Sequence, residues 1–196
     1  CKNRQLETGK FVFSYFCVLS GVICTHKYSN FVFLNLKDMF TEIRRKDRIL
    51  ENELVYRLLE SGEYGFLAME GVNGYGYGIP ISYVLNDDKC IYFHCAPEGY
   101  KLECLKQNPK VSFSVVGETR VIPEQFTTAY ESAIAFGTIH MDLPVEERML
   151  ALRLLAKKYC SGFEVVGEKY IAGLFKRTNV LRLDIEHISG KCKRIK

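Results

Sequence analysis

Tyr92-Phe93-His94-Cys95-Ala96-Pro97-Glu98-Gly99-Tyr100-Lys101 is the stretch on which the fold turns. Its approach, Cys90 to His94, is apolar and aromatic and reads as a strand. Pro97-Glu98-Gly99 breaks that strand, and a short helix follows from about Tyr100 to Lys106, ended by Asn108-Pro109. Small and turn-forming residues let a backbone approach a ligand closely. Gly99 stands directly before the helix, so free N–H groups lie near Lys101. An anion there would meet both a helix N-terminus and a cation. Taken alone, the same residues also describe an exposed lysine on a short helix, which is the commoner case.

Upstream, Asn52 to Ser61 reads as a helix with Leu54, Val55, Leu58 and Leu59 on one face and Ser61-Gly62 as its stop. The period then changes. Tyr64 to Glu70 reads as a strand, Asn73-Gly74 as a tight turn, and Tyr75 to Leu85 as the partner strand. Pro80 inside that partner marks an edge, a bulge, or a place where a ligand replaces a ladder neighbour. Downstream, Val111 to Val116 and Glu131 to Met141 read as strands. Pro144 opens a long helix with Glu146 and Glu147 in its first turn, and a weaker helix covers Glu168 to Phe175. Val180 to Ile188 alternates Leu181, Leu183 and Ile185 with Arg182, Asp184 and Glu186, as a half-buried final strand does. The fold class is therefore mainly β with peripheral helices, an antiparallel barrel of six strands.

The 196 residues suit one well-packed domain, and 47% of them are apolar. The net charge is +4, but residues 1–38 carry five bases against Glu7 and Asp38. The remaining chain is nearly neutral and has no basic stripe, so nucleic acid is not expected as a partner. Lys191, Lys193, Arg194 and Lys196 read as a solvated basic tail. The eight cysteines form no CxxC pair and no zinc pattern, so they read as reduced thiols in a cytoplasmic protein, with no metal site.

Residues 1–38 stand apart. Phe11 to Cys24 is an apolar run of 14 residues, too short for an ordinary membrane span. Three readings are open: an added element on the core, a targeting or membrane-associated extension, or sequence upstream of the true start. The chain favours a start at Met39, and membrane contact is not expected.

No nucleophile elbow, HExxH motif or P-loop occurs. Among the histidines, His140 and His187 read as ordinary strand residues, whereas His94 ends a strand at the quoted turn.

The quoted stretch, followed by Gln107-Asn108-Pro109-Lys110-Val111, resembles the pyridoxamine-phosphate-oxidase-like flavoproteins, and within them the 5-nitroimidazole resistance (Nim) proteins. Gly78-Ile79-Pro80-Ile81-Ser82-Tyr83 and Phe126-Thr127-Thr128-Ala129-Tyr130-Glu131-Ser132 add to the likeness. So do Arg44-Arg45-Lys46-Asp47-Arg48 and the run from Arg182 to Lys191. The resemblance implies an FMN-binding split barrel over residues 39–196, a homodimer with flavin at the subunit interface. It implies that Tyr77, Gly78, Ile79, Pro80, Ile81 and Ser82 lie along the flavin ring, largely through backbone. It places Phe93, His94, Cys95, Ala96, Tyr100 and Lys101 around the ribityl phosphate or ring edge, and Ser132 against the flavin from a later strand. Gly78 and Pro80 would leave room for the ring. The oxidase branch has an arginine where Tyr100 stands and basic residues where Tyr77 and Ser82 stand, so pyridoxamine-phosphate oxidation is not implied. The expected activity is FMN-dependent reduction of an electron-poor small molecule such as a nitroimidazole, with His94 as the catalytic residue. FAD in place of FMN is a further possibility of the family. The alternative is a flavin- or haem-binding protein without efficient turnover, with His94 or His187 as a haem ligand.

Overall fold

The computed structural model describes residues 40–195. The readings made for residues 1–38, and Lys196 of the basic tail, lie outside the described residues.

Alternating burial makes the strands. In β1 (Tyr64–Glu70), Gly65, Leu67 and Met69 point inward while Tyr64, Phe66 and Glu70 face out. β2 (Gly76–Leu85), β3 (Cys90–Cys95), β4 (Lys110–Ile122), β5 (Thr127–His140) and β6 (Asn179–Lys193) complete a closed antiparallel barrel in the order β1-β2-β3-β6-β5-β4. Phe113 anchors the interior, with edge contacts to Tyr83 at 4.7 Å and Phe93 at 5.1 Å. Each such aromatic pair contributes about 0.5–1.5 kcal/mol beyond burial.

Helix α1 (Asn52–Ser61) sends Val55, Leu58 and Leu59 into this core. Helix α2 (Tyr100–Gln107) adds Leu102, Cys104 and Leu105. Helices α3 (Val145–Tyr159) and α4 (Glu164–Leu174) lie outside the barrel. Ala151, Leu152, Leu155 and Ile171 cover Val84, Cys90, Tyr92 and Val180 there. Among the described residues, no helix is long and apolar enough to cross a membrane.

Strand β2 has two partners. Gly76 to Ser82 pair with β1, but only Tyr83 to Leu85 pair with β3. β3 runs on through His94 and Cys95, which pair with Val180 and Asn179 of β6 and not with β2. The barrel is therefore split, and Pro80 stands on the open edge, where a missing N–H costs least. Tyr159 bridges β2 and the start of β1 just past the last pair of their ladder, Tyr64 opposite Ser82. Its hydroxyl accepts the Tyr83 N–H at 2.9 Å and lies within reach of the Tyr83 and Glu63 carbonyls. The Tyr83 hydroxyl donates to the Leu59 carbonyl at the end of α1.

Several bounds differ from the sequence expectation. β4 and β5 run further than Val111–Val116 and Glu131–Met141, forming a long hairpin with a bulge between Val116 and Thr119. The expected basic tail is corrected. Lys191 and Lys193 belong to β6, opposite Ser132 and Tyr130. α4 starts at Glu164, earlier than Glu168, and Pro144 caps α3 from outside its first turn.

Tyr83→Phe leaves the Leu59 carbonyl without its donor in a buried place. The expected loss is about 1–3 kcal/mol, measured by urea unfolding with unchanged m-value.

Candidate functional site

The outer wall of the barrel divides in two. One half is covered by α3 and α4. The other half, formed by β2, β1, β4, β5 and β6, carries two rows of outward side chains read across the registers. The first is Pro80, Phe66, Ser114, Ile134 and Ser189. The second is Gly78, Ala68, Ser112, Phe136 and His187. Neither row contains an acid, a lysine or an arginine. Beside them lie Ser82, Tyr64, Val116 and Ser132, with Tyr64, Phe66, Val116 and Ile134 all exposed. Two uncharged rows with large exposed apolar side chains beside them form an apolar surface patch, bounded by Lys191 opposite Ser132.

Phe40 already covers one corner. Its ring stacks on His187 at 4.4 Å with an interplanar angle of 7°, and tilts against Phe136 at 5.2 Å.

The end of β3 borders this wall. Alternation sends Phe93 and Cys95 into the core and turns His94 outward. Only the backbone of Phe93 and Cys95 is left for a ligand outside the barrel. Ala96, Pro97, Glu98 and Gly99 are exposed. Gly99 caps α2 with φ +131, a conformation that L side chains rarely adopt, and no atom stands within 4 Å of where its Cβ would be. The first turn of α2 thus has no side-chain cap and opens outward.

Lys101 lies in that first turn, close enough to act on its neighbours. His94 titrates below the ordinary histidine value, first because surrounding chain desolvates the ring and then because of the Lys101 cation. Burial pushes the Cys95 thiol up, with Lys101 pulling the other way. Cys95 is thus a protonated thiol near neutrality. His94 is a neutral imidazole there, able to accept or donate a hydrogen bond.

Tyr100 turns away from Lys101. Its ring meets Tyr77 edge-on at 4.9 Å, and its hydroxyl is buried beside Gly71 with no partner among the described residues. Desolvation raises its pKa. Of the β2 run, Tyr77, Ile79 and Ile81 pack towards the core, whereas Gly78, Pro80 and Ser82 face out. Ser132 faces out on β5 beside Val116.

The room over Gly78 has an occupant that sequence reasoning missed. A Cβ there would lie 2.2 Å from the Phe66 ring. Phe66, Ser112, Ser114, Phe136 and Phe40 all join the wall without having been singled out. The alternation Val111-Ser112-Phe113-Ser114-Val115 was the available signal for the two serines. His140 is accounted for by a polar contact, its Nε2 lying 3.0 Å from an Asp184 carboxylate oxygen. Arg182 binds Asp184 and Glu147, each at 2.7 Å, and the Tyr92 hydroxyl donates to Glu147 at 2.9 Å. Among the described residues, no cluster of three or more His, Cys, Asp or Glu side chains is arranged to hold a metal ion.

Residues 51–192 match the family model described as pyridoxamine 5'-phosphate oxidase. The chain belongs to this family. No curated protein matches it. Solved structures share the fold at low identity. A candidate 5-nitroimidazole antibiotic resistance protein from Bacteroides thetaiotaomicron is 19% identical with a TM-score of 0.60, over 74% of this chain and 85% of that one. A FAD-binding protein from Mesorhizobium loti is 21% identical with a TM-score of 0.54, over 75% and 98%. A FAD and haem binding protein from Mycobacterium smegmatis is 19% identical with a TM-score of 0.63, over 76% and 75%. With the family match, the likeness establishes the split-barrel fold of that family.

NMR titration of His94 should give a midpoint below about 6.5, the ordinary histidine value. Lys101→Gln should raise it by removing the second cause. An unmoved midpoint in that variant would separate Lys101 from the His94 environment.

Proposed function

We propose that this protein is a flavin-dependent reductase of electron-poor small molecules, with nitroimidazole-type nitro compounds as the leading acceptors. It works as a homodimer with flavin held between the copies. The observation that carries this reading is a juxtaposition. An outer wall whose two central rows carry no charge borders a rim where Lys101, the uncapped start of α2 and His94 come together.

The residues present fit a flavin phosphate and ring. Gly99 leaves the backbone open to an anion, and Lys101 supplies the counter-charge. The outward backbone of Gly78, Pro80 and Ser82 lies on the unpaired edge of β2, where ring heteroatoms find hydrogen-bonding groups. Ser132 adds a hydroxyl from β5. When bound, the flavin supplies the redox chemistry, and the protein supplies position and electrostatics.

His94 is the residue proposed to face the acceptor. Its depressed pKa keeps the imidazole neutral at pH 7, so it can hold a proton in a hydrogen bond to a developing oxyanion. Phe66, Ile134 and Phe136 give the wall its apolar surface, which water leaves when a ring or a second copy covers it. A second copy covers the same wall, whose exposed apolar side chains Tyr64, Phe66, Val116 and Ile134 are left unburied in one copy. The candidate nitroimidazole resistance protein from Bacteroides supports the acceptor class, and the FAD-binding relatives support flavin in general. Localisation in the cytoplasm accords with the free thiols of Cys90, Cys95, Cys104, Cys160 and Cys192.

Two variants test the reading. Lys101→Ala should weaken flavin retention by about 10–100-fold, the worth of one charge-assisted contact. Unchanged affinity would remove Lys101 from the grip. His94→Ala should retain flavin and lose about 10²-fold or more in acceptor turnover, assayed with reduced flavin and a panel of nitro compounds and quinones. Full turnover would leave His94 a structural role.

A further inference from the structure

Helix α4 buries one side chain, Ile171. Its other large apolar residues face solvent: Val165 is 75% exposed, Val166 64% and Tyr170 69%, with Phe163 just ahead of the helix at 66%. At 3.6 residues per turn, Phe163, Val166 and Tyr170 fall within about 60° of arc on one flank. Single exposed apolar residues are ordinary, but a contiguous group on one helix is a docking surface.

The charges around the patch are one-sided. Lys157 stands in the last turn of α3, Lys169 within α4, and Lys176 and Arg177 in the short turn Phe175–Arg177 that follows. All four are exposed, and none has an ion-pair partner among the described residues. The acids of α4 are engaged. Glu168 pairs with Arg153 at 2.7 Å, and Glu164 accepts the Gly162 N–H at 2.9 Å.

The patch also ends at a telling place. The turn Phe175–Arg177 runs through Thr178 into β6, whose first residue, Asn179, lies opposite Cys95 at the end of β3. Arg148 fixes that turn, donating to the Thr178 carbonyl at 2.6 Å and the Phe175 carbonyl at 3.2 Å while lying 4.5 Å from the Phe175 ring. The surface therefore leads to the barrel end where the His94 to Lys101 segment begins.

We infer that this patch docks an acidic, single-domain electron-carrier protein that delivers electrons to the flavin. The inference rests on the flavin reading above and adds its electron donor. A small apolar centre with a cationic rim suits a transient encounter, where charge sets the association rate and the contact stays below about 1,200 Å². Each docking oxidises one carrier by one electron. Two such events, with two protons from solvent, supply one two-electron reduction of the acceptor.

The test uses the full chain and an acidic two-iron ferredoxin as probe. Affinity is measured by calorimetry with and without flavin, and electron transfer by anaerobic stopped flow. The variant K157E/K169E/K176E should bind ferredoxin at least about tenfold more weakly at low salt. Its flavin should be reduced correspondingly more slowly by ferredoxin but at the wild-type rate by dithionite. Tyr170→Ser should weaken binding without changing the salt dependence. Equal ferredoxin affinity in wild type and the charge-reversed variant overturns the docking surface. So does flotation of the wild type on phosphatidylglycerol vesicles with no ferredoxin binding. A protein that binds ferredoxin but no flavin supports the docking surface and sinks the flavin reading alone.

Discussion

Strand β2 changes partners at Tyr83, and the ladder it gives up there organises the candidate site. Buried backbone groups have to be paired, so an unpaired strand edge needs water, a side chain or a ligand. Where β2 leaves β1, the Tyr159 hydroxyl takes the place of the next ladder partner, meeting the Tyr83 backbone and the Glu63 carbonyl. Helix α2 fills the inner side with Leu102, Cys104 and Leu105. Pro80 removes one donor from the remaining edge. What is left is a short rail of backbone from Gly76 to Ser82, open to the outside and bordered by the end of β3.

The same split explains the chemistry of the rim. β3 continues past its last contact with β2, so His94 turns outward while Phe93 and Cys95 hold the strand to the core. The chain then reverses through exposed small residues into α2, which brings Lys101 back beside His94. Desolvation of the ring by the surrounding chain and that cation together lower its pKa. The site is thus a consequence of how the barrel closes. Covering one half of the outer wall with α3 and α4 leaves the other half uncovered, and its two central rows contain no acid, lysine or arginine.

Much of this was legible in the sequence where period and punctuation agreed. Helix α1 and strand β1 have the expected bounds because the apolar spacing switches from helical to alternating across Ser61-Gly62. The outer half of the β4–β5 hairpin was not legible. The bulge between Val116 and Thr119 breaks the alternation, and Gly117-Glu118-Thr119-Arg120 has the composition of a loop. Lys191 and Lys193 looked like a tail because the end of β6 carries their side chains outward, where lysine is tolerated. In the site, the run from Phe93 to Lys101 was found by resemblance, yet its period of two already separates inward Phe93 and Cys95 from outward His94. Phe66 over Gly78 could not be found, because it depends on the register between two strands.

The most direct measurement is the visible spectrum of the purified protein, with the released chromophore identified by chromatography. The account predicts flavin absorption in the blue and near-ultraviolet, and FMN or FAD as the released compound. An intense Soret band without flavin, or a protein that stays colourless after incubation with both flavins, would contradict it.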